Sequence, residues 1–136
     1  MILGTKARYA VMAMVELAGR DEGVPIALSE IAASQEITLP YLEQIFAKLK
    51  NEGLVASVRG AHGGYVMSKP AADITVEAII RAAEENMKMT RCSAEEGGCM
   101  ATRAKCITHD LWEGLEAQIE NYLGGISLAD LRAKSA

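Results

Sequence analysis

Between Leu28 and Lys50 two helix-patterned stretches stand on either side of a very short connection, Glu36-Ile37-Thr38. The first, predicted over Leu28–Ser34, puts Leu28, Ile31 and Ala32 on one face, with Ser29 near its start. The second opens at Thr38, read as an N-cap, and carries Pro40 in its first turn, where the missing N–H costs nothing. Leu42, Ile45, Phe46 and Leu49 then recur at helical spacing, which leaves Tyr41, Glu43, Gln44 and Lys48 on or near the outer face until Gly53 stops the helix. Two short helices joined by a tight turn, the second polar outside and opened by hydrogen-bonding residues, make the helix-turn-helix pattern.

The next stretch completes a head. Leu54–Arg59 reads as a strand, Gly60-Ala61-His62-Gly63-Gly64 as a turn and Tyr65–Ser68 as the returning strand. The predicted fold is therefore mainly α with a small β-hairpin wing: a winged helix-turn-helix. Arg59 and Gly60 sit where a wing tip would enter a minor groove, whose narrow A·T tracts attract arginine. The alternative for such a tip is a solvated loop.

Thr5–Arg20 is predicted as a helix apolar on nearly every face and so buried on several sides, with Met12 and Met14 filling core. After a linker at Pro70–Asp73, Thr75–Glu85 reads as a helix capped by Thr75, with Val76, Ile79, Ile80 and Ala83 inward. Asp110–Leu123 carries a stripe of Leu111, Leu115, Ile119, Tyr122 and Leu123, more than so small a head can cover, so pairing with a second copy is expected. A short helix within Ile126–Ala133, capped by Ser127, packs back through Leu128 and Leu131. The expected division is a head over 1–70, a linker and helix over 71–90, a loop over 91–109, and a dimerisation helix with its tail over 110–136.

Charge and composition narrow the partners. The net charge is −4. Residues 1–70 are nevertheless neutral, with seven basic and seven acidic groups, so the whole deficit lies beyond them. Such a head can still hold phosphates, with salt-sensitive affinity that is modest unless two heads act together. No apolar run is long enough to span a membrane and no cleavage-type leader is present, so a cytoplasmic protein is expected.

All three cysteines lie in one segment: Cys92, Cys99 and Cys106, with six residues in each gap, and His109 follows Cys106 after two more. An odd number of cysteines fits a reducing compartment better than a disulfide framework. Three thiols and an imidazole within eighteen residues form a four-ligand set suited to zinc or an iron–sulfur cluster. Structural zinc usually takes cysteines two to four residues apart, whereas these gaps are wider and one holds Gly97-Gly98, which suits a larger object. Arg91, Arg103 and Lys105 flank the thiols and favour the thiolate form. A catalytic thiol is not expected, since no substrate pocket, oxyanion element or Cys-x-x-Cys pair accompanies it, and the protein is read as no enzyme.

Taken together, Lys6-Ala7-Arg8-Tyr9-Ala10-Val11, Tyr41-Leu42-Glu43-Gln44, Gly53-Leu54-Val55, Ser57-Val58-Arg59-Gly60 with Gly63-Gly64-Tyr65, and the Cys…Cys…Cys-x-x-His set resemble the IscR-like iron–sulfur cluster regulators. The resemblance covers nearly the whole chain. It implies a homodimeric transcription factor, a repressor in keeping with that family. It further implies a 2Fe–2S cluster on Cys92, Cys99, Cys106 and His109, with 4Fe–4S or zinc as alternatives. Tyr41, Glu43 and Gln44 would lie in the major groove of a double-stranded operator, with Thr38 beside them, and Arg59 in the minor groove. Control of cluster-assembly genes, with the assembly scaffold as donor, comes with the resemblance. Both cysteine gaps are one residue longer than in the IscR pattern. A nitric-oxide-sensing branch uses a carboxylate near the N-terminus as an iron ligand; this chain has Arg8 there, which cannot ligate iron. A zinc-stapled interaction module remains the rival from another class.

Overall fold

Alanines at every third position let the first helix run through the middle of the molecule. In a computed structural model that describes residues 4–20, 23–83 and 107–135, α1 spans Thr5–Ala18 and buries Ala7, Ala10, Ala13, Met14 and Leu17. Small side chains on that face allow neighbours to approach closely. Met14 fills core as expected, but Met12 is 38% exposed, because two residues along a helix is more than half a turn away. The helix ends at Ala18 rather than Arg20, with Gly19 as its C-cap.

α2 (Leu28–Gln35) and α3 (Leu39–Asn51) follow, joined by a turn in which Glu36 takes the left-handed conformation, φ 56°. A glutamate there costs backbone energy. The turn offsets it by burying Ile37 and by sending the Ile37 N–H to the Ala32 carbonyl at 3.0 Å. Leu42, Ile45, Phe46 and Leu49 of α3 are fully buried. Phe46 meets the ring of Tyr65 edge-on, centroids 5.1 Å apart, a contact worth about 1 kcal/mol beyond area burial.

The wing is an antiparallel pair, β1 (Val55–Val58) and β2 (Gly64–Met67), with Val55 opposite Met67 and Val58 opposite Gly64. Ile26 acts as a third rung. Its N–H donates to the Tyr65 carbonyl at 3.0 Å and its carbonyl accepts from Tyr65 N–H at 2.9 Å. Gly64 makes this possible: its φ is +155°, and a Cβ there would strike the Ile26 carbonyl and lie 2.8 Å from Ala27 N.

α4 (Val76–Ala83) begins as its capping residue predicts, with Thr75 Oγ1 accepting from Ala78 N–H at 3.1 Å. α6 (Leu128–Ser135) opens with a reciprocal capping box: Ser127 N–H donates to Asp130 Oδ2 at 3.0 Å and Asp130 N–H to Ser127 Oγ at 3.1 Å. The Ser127 backbone bond, reinforced by the Ser127 hydroxyl, holds the Asp130 carboxyl below its ordinary range. Its stabilising effect is present above the usual carboxylate pKa and is lost as pH falls through the lowered value. Val76 N–H donates to the Ile126 carbonyl and Leu128 N–H to the Ile74 carbonyl, both at 2.9 Å. These bonds return α6 to the head, where Leu128 is fully buried in the same core as Phe46.

Between them lies α5 (His109–Gly124). The stripe expected to face a second copy divides in two. Ile119 and Leu123 pack against Ala7, Val76 and Ile80 of this same chain. Leu111 and Tyr122 stay 61% and 69% exposed, with Leu115 less so. The reason is angular, because at 100° per residue Leu111, Leu115 and Tyr122 fall within one narrow sector, while Ile119 and Leu123 turn toward α4. Arg81 ties α4 to α5, bonding Glu77 at 2.6 Å and Glu120 at 3.3 Å. Among the described residues no helix is long and apolar enough to cross a membrane.

Candidate nucleic-acid interface and metal centre

The outer face of α3 and the wing tip belong to one side of the head. Thr38 occupies the N-cap position of α3 with extended backbone, yet its hydroxyl makes no capping bond and the residue is exposed. Glu43 and Gln44 are exposed on successive positions of the first full turns. Tyr41 is half-buried, its ring edge-on to Tyr9 at 5.9 Å, so α1 fixes its direction. A groove of about 480 Å³ runs from Ser29 and Leu39 past Glu43 to Gly63 and Gly64 of the wing. Glu43 and the base of the wing therefore line one concave surface. Arg59 and Gly60 are exposed in the turn, Gly60 with φ +121°. A backbone strand, a glycine turn and an exposed arginine form a tip that can be inserted.

Lys48 does not belong to this face. Its Nζ is turned inward and donates to the Ala83 carbonyl of α4, 3.4 Å away. Periodicity alone left it near the outer face, since a long lysine can swing either way.

A second constellation opens α5. His109 is the first residue of that helix and only 8% exposed. Its Nε2 lies 3.0 Å from Glu113 Oε2, one turn on. Among the described residues His109, Asp110 and Glu113 form a group whose donor atoms lie within 4.8 Å of one another. The carboxylates were not singled out as ligands from sequence; their i+1 and i+4 spacing from the histidine was the available signal. Glu116, two turns along the same helix, is buried as well. Trp112 Nε1 donates to Thr108 Oγ1 at 2.9 Å and so fastens the approach to His109. Cys92, Cys99 and Cys106 lie outside the described residues.

The donor chemistry fits an iron–sulfur group. Three soft thiols reach in sequence to a neutral-capable imidazole that a helix already holds in a nearly buried position. That position is also the N-terminus of a sixteen-residue helix, whose partial positive charge favours an anionic occupant.

A helix-turn-helix whose second helix presents polar side chains beside an arginine-tipped wing defines a DNA-binding transcriptional regulator of the winged-helix class. Over residues 3–134 the chain matches Rrf2, described as an iron-dependent transcriptional regulator, and it belongs to that family. Such proteins are regulators rather than enzymes. The chain is 45% identical over 131 residues to the HTH-type transcriptional regulator IscR of Yersinia pseudotuberculosis, covering 96% of this chain and 79% of the relative. Its fold is similar to T. potens IscR, at 36% identity and TM-score 0.81, covering 100% of this chain and 89% of the other. It is equally similar in TM-score, 0.81, to CymR, the global cysteine regulator of B. subtilis, at 31% identity with 98% of each chain covered.

Proposed function

We propose that this protein is a homodimeric repressor-type regulator that binds operator DNA and senses an iron–sulfur cluster, a 2Fe–2S cluster held by Cys92, Cys99, Cys106 and His109. The observation that carries the reading is His109: an imidazole nearly buried at the head of α5, three residues beyond the last of three closely grouped thiols. On this reading residues 1–70 read DNA, 91–109 hold the cluster and 110–136 pair two copies. Its regulated genes are those of cluster assembly, and the assembly scaffold is the donor.

When bound, the cluster supplies a redox-active, oxygen-labile anion that couples iron supply to protein shape. The chain's own residues do the rest. The three thiols would bind as thiolates, a form that the basic residues Arg91, Arg103 and Lys105 of the same segment favour, and His109 offers a ring nitrogen from a fixed helix. Ligation by both ends of the 92–109 segment fixes how the chain enters α5. Through Arg81 and the Ile119–Val76 packing, α5 is tied to α4 and so to the head. In a dimer the direction of α5 sets the distance between two recognition helices, and so which half-site spacing they can span. Iron and acid-labile sulfide analysis of protein made without oxygen, with its absorption and EPR spectra, tests this. Coloured protein holding both is expected; colourless protein holding only zinc would overturn it.

The pairing surface is the exposed sector of α5. Leu115→Glu, placed at its middle, is expected to leave the melting temperature within a few degrees while shifting sedimentation from two copies to one. Pairing that persists at micromolar concentration would reject this surface.

On the DNA side, Glu43 accepts from cytosine N4–H₂ and repels phosphate elsewhere, so it discriminates. Glu43→Ala is expected to bind a wider panel of operators, with the preference between best and poor sites shrinking by about 1–2 kcal/mol. Arg59→Ala is expected to lose most at A·T-containing sites. Equal loss at every sequence would reduce Arg59 to a phosphate contact.

A further inference from the structure

We infer that Lys48 is a positioning residue that ties the recognition helix to α4, and through α4 to the helix headed by His109; this deepens the sensing function proposed above and rests on it. Ala83 is fully buried in α4, the helix that precedes the cysteines in the chain. Its carbonyl accepts from Lys48 Nζ at 3.4 Å, in half-buried surroundings. A cation bonded to a backbone carbonyl gains a charge-assisted bond, and this one joins two helices whose partners stand thirty-five residues apart in sequence. Seen from α3, Lys48 lies one turn beyond Gln44, so whatever holds Lys48 also holds the exposed pair Glu43 and Gln44 in place.

Two further features make α4 the meeting point. Leu49 and Leu42 of α3 share one packed core with Ile79 and Ala83 of α4, and packed cores shift between discrete arrangements rather than deform smoothly. On its other side α4 is joined to α5, the helix headed by His109, through Arg81 and Glu120. A shift of α5 at its His109 end therefore reaches the recognition helix through α4, by the Arg81–Glu120 pair on one side and Lys48 on the other. A lysine serving instead as a phosphate contact would have to leave the carbonyl it now bonds.

The test compares wild type, Lys48→Met and Lys48→Arg as full-length protein. Each is stripped with chelator or reconstituted anaerobically with iron and sulfide, then titrated with a duplex from its own promoter region at several salt concentrations. The wild type is expected to differ between its two forms by about fivefold or more in affinity. Lys48→Met is expected to bind iron and sulfide normally, yet to show less than about a twofold difference, while Lys48→Arg, which can still donate to the carbonyl, restores most of it. Hydrogen exchange in the stripped protein is expected to speed up over residues 76–83 of Lys48→Met and to stay unchanged over α1. A responsive wild type with an equally responsive Lys48→Met overturns the inference alone. So does an equal loss of affinity in both forms with a shallower salt dependence, which would make Lys48 a phosphate contact, and so does unchanged exchange over 76–83. A wild type with the same affinity in both forms overturns the sensing function, and the coupling with it.

Discussion

Cys99→Ser protein, prepared without oxygen, is expected to retain essentially no iron or sulfide and to lose the absorption bands of the wild type. A serine hydroxyl is a hard donor that stays protonated at neutral pH, whereas the site needs a soft thiolate. The middle cysteine is the most informative of the three, because a gap of six residues separates it from a ligand on each side. Its loss leaves three donors, Cys92, Cys106 and His109, with a long gap where the middle thiolate would close the set. The core of the described residues is built around Phe46, Met14, Ile31 and Leu128, and serine keeps nearly the size of the cysteine it replaces. The thermal melt of the stripped variant should therefore overlay that of the stripped wild type. His109→Ala is expected to lower iron retention as well, but less completely, since Asp110 and Glu113 stand within reach of the vacated position. Wild-type iron content in Cys99→Ser would remove this cysteine from the ligand set.

Gly64→Ala is expected to cost about 3 kcal/mol or more of folding stability, through an overlap with backbone that cannot be relieved by rotating a side chain. The added methyl would meet the Ile26 carbonyl oxygen and carbon, and Ala27 N at 2.8 Å, at a φ of +155°. Relief requires the rung between Ile26 and Tyr65 to open. That loosens the Phe46–Tyr65 contact and leaves Arg59 on a wing no longer fixed to the head. DNA affinity should fall with stability. Gly23→Ala is the control: its φ is +80° but nothing lies within 4 Å of the new methyl, so only the backbone term of about 1 kcal/mol is expected. Denaturant unfolding of both variants reads the difference, and equal midpoints would refute the role given to Gly64.

Much of the head was legible because its signals are local. Thr38-Leu39-Pro40 opens α3, Leu42, Ile45, Phe46 and Leu49 repeat at helical spacing, and the glycines of 60–64 turn the wing, each by rules acting over a few residues. Thr75 and Ser127 were readable as caps for the same reason. Long-range choices were not. Whether Lys48 bonds DNA or Ala83 depends on α4, thirty-five residues away. The α5 stripe divides because α4 covers Ile119 and Leu123, which no pattern within α5 announces. Met12 and Met14 look alike in a helix apolar on most sides, and only the packing of α1 against its neighbours separates them. The third rung of the wing, Ile26, stands far from the hairpin in sequence and beside it in space. Of the four proposed ligands, His109 is the one that lies among the described residues.

The central claim is that occupancy of the Cys92–His109 site changes how this regulator chooses DNA. The most direct measurement is an anaerobic binding titration of one protein preparation, half stripped and half loaded with iron and sulfide, against a panel of duplexes whose half-site spacing varies. A spacing preference that shifts on loading, and is lost in Cys99→Ser, is the predicted result. Identical preferences and affinities in the two halves, with iron and sulfide demonstrably bound in one, would contradict it.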